Sequence, residues 1–255
     1  MPNQQPIHVG IVVAPDFCPM DIFGVYTVFA VPPFIGLRPD IHVHFIGKDL
    51  REFSAVPPLP MRATTTYDRC PQPLDVLAIG AMPPSFLDDD EGMRFVAEAG
   101  RTARYLLGIC GGAHVLGAAG LLVGYRATTN FHALAGLDVC GAIPTQGHVV
   151  VDRNRYTSGP AIGAYDASLR ILGELCGPEV AREHELHLEH LAEPPYGTGR
   201  PDRAGEALTQ RAVDRLRSLT AGAQAAFSAA CARRGIPAGG RTTPGSFDAP
   251  QPKAS

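Results

Sequence analysis

The sequence predicts an α/β domain built on a largely parallel sheet. Short, β-branched apolar runs alternate with helix-length segments, the pattern of βαβ units. The runs are apolar throughout, as strands covered on both faces are. One of them ends in G-I-C-G-G, residues 108–112, which suits a tight strand-to-helix turn. The 255 residues are enough to bury a substantial core.

Residues 8–14 (HVGIVVA) read as the first strand. A helix follows over 20–31, closed by Pro32 and Pro33. Residues 42–47 (HVHFIG) are the second strand. Residues 48–73, rich in Pro and Arg, predict an irregular excursion with short strands. Residues 75–80 (DVLAIG) are a third buried strand. An amphipathic helix over 88–103 carries acidic residues in its first turn, and 104–109 (RYLLGI) returns as a strand. A small-residue helix covers 111–121, and His132 falls in a helix after ATTN. Residues 139–158 read as hairpin strands turning at 152–155. Helices are expected at 162–175, 179–191 and 208–234, the last weakened by Gly222. His184, His187 and His190 are spaced by three among acidic residues, which predicts a solvated face. From Gly235 the composition is that of a disordered tail.

Charge and composition narrow the function. Twenty-two basic and 25 acidic residues give a net charge of -3, with no footprint for nucleic acid. No apolar run is long enough to cross a bilayer, and MPNQQPIHVG lacks a signal-peptide pattern. The cytoplasm is the expected location, and neither nucleic acid nor membrane is an expected partner. The six cysteines are widely spaced without C-x-x-C, so neither a structural zinc site nor a redox dithiol is indicated. The glycine-rich segment is neither G-x-G-x-x-G nor a phosphate loop. No cofactor and no metal are expected.

Cys110 is the candidate nucleophile. Small residues two before and two after it let the strand turn sharply, leaving the apex in strained dihedrals with its side chain outward. Amides at the start of the following helix favour a thiolate there, and the Gly111 N–H is placed to stabilise developing charge. A proton-transfer partner is needed, and Asp21 is the candidate. It follows the first strand, and loops after parallel strands gather at one edge. The alternative for Asp21 is a first-turn acid of its helix. Asp16 is the weaker neighbour, in a Pro-Asp turn. Gly80 and Ala81, at the same edge, either complete an oxyanion hole with their N–H groups or form an ordinary turn. His114, one helical turn after Cys110, reads as a packed histidine or a pocket wall, and His132 as a second candidate to reach the site.

The elbow, the segment Asp21-Ile22-Phe23-Gly24-Val25-Tyr26-Thr27-Val28-Phe29 and the string from Leu116 through Thr129 resemble the ThiJ/PfpI superfamily. Within it they are most similar to the isonitrile hydratase-like (cyclohexyl-isocyanide hydratase) branch. RNRYTSGPAIGAYD at 153–166 and PPYGTGRPDRA at 194–204 extend the resemblance over about residues 8–205. The resemblance implies a flavodoxin-like, class I glutamine amidotransferase-like three-layer sandwich and a homodimer. It implies a ThiJ/PfpI-like domain at 1–205, leaving a helical extension at 206–235 and a tail at 236–255. It implies Cys110 as nucleophile and Asp21 as acid/base, turning an isonitrile and water into an N-substituted formamide without a cofactor. Ile22, Phe23 and Phe131 are then expected to line an apolar pocket. The chain departs from the branch at Gly111, where threonine is usual, and at Asn130, where many relatives have histidine, here displaced to His132. It departs also at Val25 for proline and Thr27 for glutamate. Two other functions stay open: glyoxalase- or deglycase-like action on reactive carbonyls, and a redox or metabolite sensor built on the thiol.

Overall fold

The computed structural model describes residues 5–191 and 193–239. Its strands are β1 (Ile7–Val12), β2 (Ile41–Gly47), β3 (Phe53–Ala55), β4 (Leu59–Met61), β5 (Thr65–Thr66), β6 (Val76–Ile79), β7 (Tyr105–Ile109), β8 (Arg126–Ala127), β9 (Ile143–Pro144), β10 (Val149–Asp152) and β11 (Arg155–Ser158). Its α-helices are α1 (Met20–Phe34), α2 (Pro84–Asp88), α3 (Asp90–Thr102), α4 (Gly112–Ala118), α5 (Ile162–Cys176), α6 (Pro178–His187), α7 (Pro201–Ala204) and α8 (Glu206–Arg233).

Seven strands form one sheet in the order β10-β11-β7-β6-β1-β2-β5. Every neighbouring pair is parallel except β10 and β11. The chain builds outward from β1 to β2, then restarts on the other side at β6. Successive side chains of a strand face opposite layers. Ile7, Val9 and Ile11 therefore meet Val25, Val28 and Phe29 of α1 and Ile171 and Leu172 of α5. Val12, Ile46, Leu77 and Ile79 face the other layer, with Val96 of α3, Leu116 of α4 and Phe227 of α8. The result is a three-layer α/β sandwich.

Several local expectations are corrected. α1 runs through Pro32 and Pro33 to Phe34. A proline ring fixes φ near the helical value and lacks only the donor; here the Pro32 and Pro33 carbonyls still accept from Leu37, Arg38 and Gly36 N–H. His132 precedes a 3-10 helix, Leu134–Cys140, and lies in no α-helix. His184 is buried against the α1 backbone at Thr27 and Val28, so it is no part of a solvated face. His190 is also engaged: with His148 it clamps Asp166, at 2.7 and 2.8 Å, and those two partners hold the carboxyl down at about 2. The chain after Gly235 does not leave the protein at once. Ile236 packs on the core, and Gly239 N–H donates to the Asp138 carbonyl at 2.7 Å. Residues 240–255 of the expected tail lie outside the described residues.

Two glycines give opposite expectations. A Cβ at Gly112 would lie 1.9 Å from the Ile79 carbonyl oxygen, whereas one at Gly222, on the exposed middle of α8, meets nothing within 4 Å. We expect Gly112→Ala to destabilise by about 3 kcal/mol or more through forced backbone displacement. Gly222→Ala is expected to stabilise by about 0.5–1 kcal/mol through helix entropy. Urea unfolding of both variants checks the pair.

Candidate active site

The strand order reverses between β1 and β6, and the crevice outside the strand ends at such a point is where open α/β sheets bind ligands. Four segments converge there. Asp21 comes from the first turn of α1, Ala81 from just after β6, Cys110 from the end of β7 and Ala161 from after β11.

Cys110 has φ 55°, in the left-handed region that side chains rarely adopt. Its N–H donates to the Ser158 carbonyl at 3.0 Å, and its carbonyl accepts from Thr129 Oγ1 at 2.6 Å. These two bonds hold the strained peptide, and Gly112 clears the way for α4 against Ile79. The expected elbow is present in its backbone geometry.

Asp21 is 1% exposed. Its Oδ2 accepts from Ala81 N–H at 2.9 Å and its Oδ1 from Ala161 N–H at 3.2 Å. Ala161 has φ 47° and ψ -82°, so a second strained residue aims its amide at this carboxylate. The Cys110 thiol faces the same carboxylate and helps to hold its pKa down. Burial raises the Asp21 pKa, and the two amides and the thiol pull it partly back.

The expected thiolate is corrected. Burial, then the Asp21 charge, push Cys110 up to about 12, outweighing hydrogen bonds to the sulfur from Asn130 and from Gly111 N–H. The resting group is a thiol, poised to hand its proton to Asp21. α4 is seven residues long, and its N-terminus does not offset the loss of water.

Other assignments also change. The Ala81 amide is not an oxyanion donor, because it is spent on Asp21. The Gly111 amide addresses the sulfur. Gly80 sits against Asp21, with room for no side chain: a Cβ there would be 2.9 Å from the Asp21 Cβ. Ile22 is buried in the core and lines no pocket. Phe23 and Phe131 are 44% and 45% exposed, and Phe131 borders a cleft of about 120 Å³ with Thr198, Pro201 and Leu208. A larger cleft of about 320 Å³ lies near Lys48 and Arg51; neither cleft is lined by Cys110 or Asp21. His114 and His132 turn to α8, the first against Phe227 at 4.7 Å between ring centroids, the second 2.9 Å from Thr220 Oγ1. Burial pushes His114 down to about 4. Asp16 is exposed, in a left-handed turn with φ 61°. A Cβ at Gly111 would lie 3.0 Å from the Ala81 Cβ, so a larger residue there needs Ala81 to give way. Among the described residues no group of three or more His, Cys, Asp or Glu side chains is arranged to hold a metal ion, and no helix is long and apolar enough to cross a membrane.

Ala161, Ser158 and Thr129 were not singled out from sequence. Thr129 lies in the ATT string, but no periodicity or spacing places its hydroxyl on the Cys110 carbonyl.

With this geometry in view, the comparisons are decisive for the family. The DJ-1/PfpI family model matches residues 8–174. This chain belongs to the DJ-1/PfpI family. It is 35% identical over 211 residues to an isonitrile hydratase of Pseudomonas putida, covering 82% of this chain and 90% of that protein. A ThiJ/PfpI family protein from Pseudomonas syringae superposes with TM-score 0.80 at 28% identity, covering 89% of this chain and 92% of the other. Oxidised DJ-1 of Toxoplasma gondii shares the fold, with TM-score 0.62 at 18% identity over 73% of this chain and all of that one.

Removing the Asp21 charge has a signed consequence. That charge raises the Cys110 pKa, so Asp21→Asn makes the thiol more acidic. Alkylation of Cys110 by iodoacetamide, followed peptide by peptide across pH, is expected to shift its midpoint downward in Asp21→Asn. An unchanged or higher midpoint contradicts the contact.

Proposed function

We propose that this protein is a cofactor-independent isonitrile hydratase-like enzyme, with Cys110 as nucleophile and Asp21 as acid/base. The observation that carries the proposal is the Cys110 thiol set against the buried, amide-held Asp21 carboxylate in the switch-point crevice. The 35% identity to an isonitrile hydratase supports the substrate class.

The steps follow from the groups present. The Cys110 sulfur forms a bond to the terminal carbon of R–N≡C, while its proton passes through Asp21 to the same carbon. The product of this step is Cys–S–CH=N–R. Water then adds across C=N, oxygen to carbon and proton to nitrogen, with Asp21 as base and then acid. The tetrahedral adduct collapses: the C–S bond breaks, the hydroxyl proton returns through Asp21 to sulfur, and R–NH–CHO leaves. A neutral resting thiol suits this chemistry, because the electrophile itself needs the proton. The same thiol disfavours a peroxide sensor, whose reactivity depends on thiolate.

Wild-type protein with cyclohexyl isocyanide is expected to give the N-substituted formamide, and Cys110→Ala none. The rate is expected to rise with pH through the elevated Asp21 pKa, because the carboxylate form accepts the proton. It is expected to hold its plateau until the thiol ionises near about 12 or the fold is lost. Formamide from Cys110→Ala, or a rate that falls through the acid limb as pH rises, contradicts the assignment.

A homodimer belongs to the same reading. α1 leaves Met20, Phe23 and Tyr26 exposed, and α5, packed against it, adds Ile162. Sedimentation is expected to give twice the chain mass, with Phe23→Glu shifting the protein toward monomer.

A further inference from the structure

Asn130 stands beside the reacting sulfur. Its side-chain amide lies close enough to the Cys110 thiol to hold the thiol pKa down. Its Oδ1 is buried and has no hydrogen-bond partner among the described residues. A buried amide oxygen without a partner is unusual in a folded protein, and at a reactive centre it points to a ligand group. The residue is also held firmly. The preceding Thr129 hydroxyl is bonded to the Cys110 carbonyl at 2.6 Å, and the Asn130 carbonyl accepts from Ala133 N–H at 2.9 Å. The amide oxygen is therefore delivered to the vicinity of the sulfur by the same contacts that hold the elbow.

An amide oxygen accepts hydrogen bonds and cannot donate them. It selects, among the species attached to Cys110, those that carry an N–H. The isonitrile has none, and neither has the thioimidate Cys–S–CH=N–R. The hydrated adduct Cys–S–CH(OH)–NH–R has one, gained when water's proton reaches nitrogen. A contact made only after hydration lowers the barrier to hydration without tightening substrate binding.

We propose that Asn130 is a catalytic residue of the hydration step, its N–H holding the sulfur and its Oδ1 receiving the adduct N–H. The inference rests on the hydratase reading above. It separates formation of the thioimidate, which depends on Cys110 and Asp21, from its hydration, which depends on Asn130 as well.

The test is turnover of cyclohexyl isocyanide by wild type, Asn130→Ala and Asn130→Asp, with intact-protein mass measured during turnover. Asn130→Ala is expected to lower kcat by at least about tenfold and KM with it, because a covalent species that breaks down slowly saturates the enzyme at less substrate. It is also expected to accumulate protein heavier by one substrate, absent when Cys110 is also replaced. Asn130→Asp keeps the shape and the acceptor, and is expected to accumulate less adduct than Asn130→Ala; it stands in if the alanine variant does not fold. Unchanged kcat, or a rise in KM alone, overturns the inference while leaving the hydratase reading intact. So does a fall in kcat without adduct. No turnover and no Cys110 adduct in wild type retires the hydratase reading itself, and this inference with it.

Discussion

A carboxylate with almost no access to water has to be held by the protein, and Asp21 is held by two backbone N–H groups that follow separate strands on the far side of the sheet's switch point. Ala81 follows β6 and Ala161 follows β11, so the contact ties together the ends of strands far apart in sequence. The thiol completes the set. Everything else at the site serves this arrangement: the strained Cys110 points its sulfur at the acid, Ser158 and Thr129 fix the Cys110 peptide, and the glycines clear space around both.

The arrangement opposes stability. Asp21 titrates higher in the folded protein than in an unfolded chain. Its contribution is therefore present below the unfolded value and is lost as pH rises through the folded one. Above its folded pKa the carboxylate is a net burden, relieved in part by the amides. Two non-glycine residues with positive φ, Cys110 and Ala161, add strain at the same place. The large apolar layers on both faces of the sheet offset these costs.

Much of this was legible in the sequence, because apolar runs and helix periodicity are local. The strands 8–14, 42–47, 75–80 and 104–109 fall on β1, β2, β6 and β7, and the edge they share put Asp21 beside Cys110 before any coordinates. Electrostatics were not legible. A helix start beside a cysteine suggested thiolate, but burial dominates, and the degree of burial depends on the tertiary fold. The role of the Ala81 amide, open in the sequence between oxyanion donor and ordinary turn, is hidden for a related reason: sequence shows that a donor is present, not that a carboxylate has already claimed it. Ile22 and His184 failed as well, since an apolar residue near a site and a histidine on a charged helix can each face inward. Ala161 gave no signal at all, because a strained φ at alanine has no compositional mark.

The central claim is that a half-buried, protonated Cys110 shares its proton with a buried Asp21. A carboxyl-carbon NMR titration of Asp21 addresses it most directly. The account predicts a midpoint above the ordinary aspartate value of about 3.9, moving higher still in Cys110→Ala, because the thiol's hydrogen bond lowers it. A midpoint at or below the ordinary value, or one indifferent to loss of the thiol, contradicts it.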